Sequence, residues 1–513
     1  MRHSEKTFPH AALAMVCVGA LAAVAEVLLG PFVALDTTIA RVMRAVGVAI
    51  ALGALHFGAQ AALPTYRKRE RKCYVTLFSL ISLSTLFVAV AKVVFLALLH
   101  YGNQHTAKSD ISELTLTFAL PYVAAVIVMQ SIQGFQLGIV AAVYGAVLFG
   151  VYNPLLGLTQ LLVLTSSLGA CLGCMRVRSR ASYLQGALWV ALSMAPFAVI
   201  SFFVAPPTGA LDGAARVLGC LVSAGLSSII AVAVTPIVEY VGEYASDMRL
   251  IEMATLDHPL LKELSVQAPG TWNHSMVIGM MVESAADAIG ANPVVCRVGA
   301  YFHDIGKVKK PLYFAENQAP GDNRHDKLSP SMSALIIRAH VKDGVELARR
   351  HKLPRVIEDM IPQHHGTALI DYFYDKARKE AEDHGKDPDS VDRALFQYAG
   401  PKPQTREAGL LMLADGIEAA ARTLSDPSHD RIQGMVQKML NKVFASGELN
   451  ECDLTLQDLH LIAKCFTRVL SGIYHQRVAY AEPAEKTHAS DTREGSGERE
   501  PKPVENLKRL GLE

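Results

Sequence analysis

Eight apolar runs fill the first 245 residues, at 11–34, 45–63, 74–100, 114–130, 137–152, 155–175, 183–205 and 215–241. Each approaches or exceeds the length that carries a helix across about 30 Å of hydrocarbon. Lipid offers no partner to a free backbone N–H or C=O, so such runs have to close their hydrogen bonds as helices. The first run is long and no A-x-A site precedes a mature domain, so it reads as a retained span and not a cleaved signal peptide. The fourth and fifth runs are short and flank "QSIQGFQ". Past residue 245 the runs stop and the chain turns polar. Basic residues outnumber acidic ones before that point, and the order reverses after it. The whole-chain figures of 51% hydrophobic, 19% charged and net charge +1 therefore average two unlike halves. They exclude a disordered chain and a uniform globular one.

Loop charge sets the expected orientation. "PTYRKRERKC" (64–73) carries five basic residues and "RVRSR" (176–180) three, which marks both as cytoplasmic. Eight spans put these loops, the N-terminus and the polar half on one side, with "GNQHTAKSDISE" (102–113) on the other. Arg41 and Arg44 run against this pattern, near the outer end of the second span. Glu26 and Lys92 lie inside spans, where a charge has to face protein or water. They serve either as a structural ion pair or snorkelling groups, or as a ligand-sensing element. Eight cysteines form no disulfide spacing, which suits a reducing cytoplasmic face. Cys171 and Cys174 make a CxxC without a second pair and read as buried thiols.

Residues 246–480 show the i, i+3, i+4 apolar spacing of helices and no alternating strand pattern. The expected class is all-α: a polytopic transmembrane helical bundle at 1–245, then an all-helical domain at 246–480. The tail 481–513 is charged and rich in Pro, Gly and Ser, so it is expected to be disordered. Its mixed charges do not suit a DNA or RNA polymer.

Chemistry concentrates in the second half. The candidates are His274, the pair His303–Asp304, His340, the pair His364–His365 and Asp415. One histidine on a helix is ordinarily a satisfied polar residue. Five histidines and two carboxylates beside apolar stretches are different, because buried in that number they need a cation or dense pairing. Imidazole with carboxylate suits Mn, Fe or Zn. A carboxylate with two oxygens can bridge two such ions, and a pair of ions can activate water and stabilise a phosphoryl group. No Walker-type phosphate loop and no Ser or Cys nucleophile with a base stands out. Lys307, one turn beyond His303, either meets phosphate or caps the helix in solvent.

The pattern H…HD…H…HH…D, centred on "HDIGK", resembles the HD-domain metal-dependent phosphohydrolases. It is closest to their multi-span membrane branch, the cyclic di-AMP phosphodiesterases of the PgpH type. Segments 258–275, 299–318, 325–349, 363–377 and 398–423 carry the likeness. The resemblance implies two divalent transition-metal ions, Mn or Fe. It implies one held by His274, His303, Asp304 and Asp415 and another by Asp304, His340 and His364. Asp304 would bridge, His365 would lie beside the second ion or the scissile phosphate, and Lys307 would touch phosphate. Tyr398, Thr405 and Arg406 in "YAGPKPQTRE" are implied as further substrate contacts, with Arg406 where relatives carry Lys. Location in a bacterial inner membrane, with the HD domain and both termini cytoplasmic, follows from the same likeness and the loop charges. Relatives often carry a large extracytoplasmic domain after the first span, whereas here only a few residues separate the first two runs.

The implied reaction is hydrolysis of cyclic di-AMP to 5′-pApA by metal-activated water. A cyclic di-GMP enzyme would show HHE and GYP, but this chain has "HHGT" and no GYP. A membrane receptor that binds a cyclic dinucleotide without turnover stays open, as do another cyclic-dinucleotide substrate and a homo-oligomeric assembly. His325–Asp326 repeats the HD dipeptide within the loop "APGDNRHDKLSP" and reads as a loop-structuring or lid element. His258, His351, His384 and His429 read as surface residues.

Overall fold

The computed structural model describes residues 8–33, 37–63, 66, 71–105, 111–153, 156–175, 177, 179, 181–319 and 321–474. The charged tail 481–513 and most of the basic loop 64–73 lie outside them. Among the described residues there is no strand, only an isolated bridge between Leu369 and Gln397. The all-α class holds.

The first half comprises α1 (Phe8–Leu29), α2 (Thr38–Ala62), α3 (Arg71–His105), α4 (Glu113–Ala119), α5 (Ala124–Gln133), α6 (Phe135–Val151), α7 (Leu156–Gly173), α8 (Ala181–Val204) and α9 (Ala210–Gly242). Among the described residues, six stretches are long and apolar enough to cross a membrane, Leu114–Gln133 included, while α6 and α7 are shorter apolar helices. The run read from sequence as one span at 114–130 is broken in two. Pro121 lacks an N–H and drives Leu120 to an extended ψ of 139°, which ends α4. The Leu120 carbonyl accepts from the Tyr122 amide at 3.0 Å and from Ser223 Oγ of α9 at 2.5 Å. Irregular backbone at this depth survives because protein surrounds it, and α5 is accordingly buried along most of its length.

The intramembrane charges find partners. Arg44 of α2 grips Glu26 of α1 with Nε to Oε2 at 2.9 Å and Nη2 to Oε1 at 2.6 Å. Tyr152 donates to the same carboxylate at 3.0 Å and lies under the guanidinium. The misplaced Arg44 and the costly Glu26 are thus one ion pair. Lys92 is buried with its ammonium over the Phe32 ring. Cys171 and Cys174 are free buried thiols.

Glu243 adopts a left-handed φ of 52° and ends α9. Ser246 then caps α10 (Asp247–Met253). Arg249 of α10 reaches back to donate to the carbonyls of Tyr244 at 2.6 Å and Glu239 at 3.2 Å.

The second half continues with α11 (Pro259–Gln267), α12 (Pro269–Ile289), α13 (Pro293–Phe302), α14 (Pro330–Arg350), the short α15 (Arg355–Glu358) and α16 (Met360–Gln363), α17 (Asp371–Asp383), α18 (Arg406–Ala421), α19 (His429–Ala445) and α20 (Leu456–Ile473). Local sequence sets these starts. Asn292 accepts from the amides of Val294 and Val295 ahead of Pro293, and Ser329 caps α14. Thr455 and Asp458 form a capping box for α20. Helices α12, α13, α18 and α20 share one core in which Ile278, Val298, Phe302, Leu411 and Phe466 are fully buried. Each such side chain contributes about 1.5–3 kcal/mol by leaving water. That core holds α12, the end of α13 and α18 in fixed register, and these elements carry much of the polar centre.

Candidate metal centre

Five elements converge on one point. His274 comes from the second turn of α12, and His303 ends α13 with Asp304 directly after it. His340 lies midway along α14, His364 and His365 follow α16, and Asp415 lies midway along α18. His274, His303, Asp304, His340 and His364 are buried. The donor atoms of His274, His303 and Asp304 lie within 4.8 Å of one another, and those of His340, His364 and His365 form a second such group.

Asp304 sits between the two groups. Its Oδ1 lies 3.3 Å from His340 Nε2 and 3.8 Å from His364 Nε2. Its Oδ2 lies 3.2 Å from His303 Nε2, 3.8 Å from His274 Nε2 and 2.7 Å from Lys307 Nζ. Asp415 closes the far side, with Oδ1 at 3.0 Å from His274 Nε2 and Oδ2 at 3.6 Å from His365 Nδ1. A glycine makes this approach possible. The 3₁₀ turn Ile305–Lys309 packs so tightly on α14 that a Cβ on Gly306 would overlap the carbonyl oxygen of His340.

Hydrogen bonding fixes the imidazole tautomers. Nδ1 of His303, His340 and His364 donates to the carbonyl three residues upstream, at Ala300 (2.7 Å), Ile337 (2.6 Å) and Ile361 (2.6 Å). Each ring thus spends its proton outward and turns an Nε2 lone pair inward. Those three Nε2 atoms and Asp304 Oδ1 are buried with no hydrogen-bond partner. An orphaned buried acceptor costs about 1–3 kcal/mol, and four of them facing each other fit divalent cations.

The protonation balance agrees. Burial pushes the pKa of His364 well below the usual imidazole value and that of His365 down to about 3, and lowers His340 as well. Burial works against the Asp304 carboxylate, but His303 and Lys307 outweigh it and hold its pKa well below the usual range. Burial likewise opposes the Lys307 ammonium, which Asp304 and Glu316 raise instead. His340, His364 and His365 therefore offer neutral imidazoles, beside an ionised Asp304 carboxylate.

Lys307 is already engaged, 2.8 Å from Glu316 and 2.7 Å from Asp304, with its ammonium over Phe314. Tyr398 stacks on His365 at 4.2 Å with planes 22° apart, and so belongs to the centre. Thr405 and Arg406 do not reach it. Thr405 caps α18 by accepting from the Ala408 amide, and Arg406 pairs with Asp458 at 2.9 Å. Nine residues of helix, about 14 Å at 1.5 Å per residue, separate Arg406 from Asp415. His325 is the buried hinge of its loop, 2.7 Å from the Tyr313 carbonyl and packed on Phe373. His258, read as a surface residue, is half-buried against the Phe302 ring.

Glu418 escaped the sequence reading. It is fully buried one turn beyond Asp415 and accepts a hydrogen bond from His274 Nδ1. Its signal was a lone acid inside the apolar stretch "GIEAAA" at i+3 from Asp415. A cavity of about 560 Å³ opens on His364, His365 and Asp415, with Arg393, Gln397 and Lys402 on its walls.

Two family models match the chain. Residues 271–420 match the HD domain, and residues 39–246 match the family described as 7TM receptor with intracellular HD hydrolase. The chain thus joins a segment similar to that membrane family to an HD domain. With six apolar stretches long enough to cross a bilayer among the described residues, this HD protein is a membrane protein. It is similar to the cyclic-di-AMP phosphodiesterase PgpH of Bacillus subtilis, 34% identical over 80% of this chain and 56% of the relative. PgpH of Listeria monocytogenes is 42% identical over 49% of this chain and 34% of the relative. The chain thus spans about half or less of the length of these relatives. A crystal structure of the Listeria monocytogenes PgpH HD domain with cyclic di-AMP covers 44% of this chain and all of that one, at 42% identity and a TM-score of 0.40.

Proposed function

We propose that this protein is a membrane-anchored, metal-dependent phosphodiesterase that hydrolyses cyclic di-AMP to 5′-pApA. The observation that carries the reaction class is the inward-facing set of orphaned acceptors, His303 Nε2, His340 Nε2, His364 Nε2 and Asp304 Oδ1. The names of the relatives support the substrate.

His274, His303, Asp304 and Asp415 would hold one cation, and Asp304, His340 and His364 the other, with Asp304 shared and His365 beside the second. Mn or Fe suits this imidazole–carboxylate donor set, and such ions supply activated water and neutralise charge on phosphorus. In the balanced reaction, water oxygen joins phosphorus, one P–O3′ bond breaks, and that oxygen leaves as a hydroxyl. The chain's own part is positioning. The Lys307 ammonium, fixed between Asp304 and Glu316, would meet a phosphate oxygen of bound substrate. Tyr398 sets the plane of His365 by stacking on it. The 560 Å³ cavity falls within the range of small-molecule sites and would receive the substrate beside His364, His365 and Asp415.

The basic loops at 64–73 and 176–180 support a bacterial inner-membrane location with the HD domain and both termini in the cytoplasm. Division of the chain at 245 belongs to the same proposal.

Turnover tests this reading. The full chain in detergent, given Mn(II) and cyclic di-AMP, is expected to release 5′-pApA on chromatography. Retained binding of cyclic di-AMP with no product under any of Mn, Fe or Zn would make the protein a receptor instead.

A further inference from the structure

The four buried histidines of the centre are not held alike. His303, His340 and His364 each give the Nδ1 proton to a neutral backbone carbonyl. His274 alone gives it to a carboxylate, that of Glu418. Helix α18 therefore grips both ring nitrogens of His274 from one face. Asp415 meets Nε2 at 3.0 Å, and Glu418, three residues on, meets Nδ1 from behind.

Glu418 has no freedom to reach a cation itself. Its Oε2 is committed to His274, while Oε1 accepts from Arg422 Nε at 2.7 Å and Tyr474 Oη at 3.3 Å. The imidazole stands between this carboxylate and the centre. Any effect of Glu418 on the centre has to pass through His274, by locking its tautomer and ring plane and making Nε2 a stronger donor. A carboxylate behind a ligating imidazole ordinarily contributes about 10–100-fold in metal affinity. Neutral carbonyls supply less of that push to the other three rings.

We propose that Glu418 is a positioning residue that makes the cation position at His274, His303 and Asp304 the tighter of two unequal sites. The inference rests on the reading of this centre as a two-cation site. It implies ordered loading, with the His274 side filled first and the His340 side filled second.

The test is a titration of the full, metal-stripped chain with Mn(II), followed by the loss of the free-ion EPR signal. Two separate steps are expected in the unsubstituted chain. Glu418→Gln keeps the shape but removes the charge, and should weaken the tighter step about 10–100-fold while leaving the weaker step in place. Two indistinguishable steps in the unsubstituted chain, or equal weakening of both steps in Glu418→Gln, would overturn the inference. Failure to bind Mn(II) at all would instead overturn the two-cation reading beneath it. Should Glu418→Gln not fold, Glu418→Asp decides the matter, since it keeps the charge but draws the carboxylate back from His274 Nδ1. Selective weakening of the tighter step then supports the role of Glu418, and two unmoved steps contradict it.

Discussion

His340 Nε2 faces Asp304 Oδ1 across 3.3 Å, and neither atom has a hydrogen-bond partner. The imidazole has already given its Nδ1 proton to Ile337, and the carboxylate is held ionised by its neighbours. Two acceptors this close repel unless a cation lies between them. His340→Ala should therefore cost one of two bound ions and lower turnover by about 10²–10³-fold, since each factor of ten corresponds to about 1.4 kcal/mol and one ion supplies several. Metal analysis of the purified chain reads the first effect and product formation the second. Two ions retained in His340→Ala would remove this histidine from the centre.

Gly306 is expected to be intolerant of the smallest substitution. A methyl group there meets the His340 carbonyl, so the turn bearing Lys307 and the helix bearing His340 have to separate. Gly306→Ala should lose at least tenfold in turnover, because displacements near 1 Å cost on the order of 10²-fold. Circular dichroism should show the helices intact. Unchanged turnover would mean that α14 gives way without moving its histidine.

In the membrane half, Glu26 and Arg44 stabilise the α1–α2 contact only as a pair. Removing one partner strands the other, at a cost of about 3–5 kcal/mol for a buried pair, whereas replacing both is far milder. Glu26→Gln should lower the thermal midpoint in detergent more than the double variant Glu26→Gln with Arg44→Met. Equal losses would show that the pair is solvated.

Much of this was legible in the sequence, and the gaps have physical causes. The histidines and aspartates stood out because each combines a polar donor with apolar neighbours. Their mutual distances depend on packing between residues as far apart in sequence as 141 positions, which no spacing rule supplies. The run 114–130 reads as one span by its hydropathy despite Pro121 inside it, and the Ser223 hydroxyl that meets the Leu120 carbonyl lies on another helix. Glu26 and Arg44 each looked misplaced alone, and only the fold shows that each is the other's remedy. Arg406 stands apart from the cation ligands because nearness in a motif is not nearness in space along a helix. Glu418 was hidden for the opposite reason, since it acts from behind a ligand.

Acidity gives a further check on the metal-free chain. Burial opposes a charged His274, but Asp415 and Glu418 outweigh it and lift its pKa to about 9. An unfolded histidine titrates near about 6.5. A raised folded pKa contributes stability that is fully present below the unfolded value and is lost as pH rises through the folded one. The metal-stripped chain should therefore lose several degrees of thermal midpoint between pH 7 and pH 10. His274→Ala should abolish that decline, and bound metal should suppress it by taking the place of the Nε2 proton. A decline that persists in His274→Ala would assign it to other groups.

The central claim is that one carboxylate, Asp304, joins two cation positions into a single phosphodiesterase centre. Asp304→Asn keeps the volume and removes the charge. Metal content and cyclic di-AMP turnover, measured together on the full chain, test it most directly. The expected result is about two ions per unsubstituted chain with 5′-pApA released, and in Asp304→Asn a loss of both ions and of turnover. Normal turnover in Asp304→Asn, or turnover by an unsubstituted chain stripped of metal, would contradict the account.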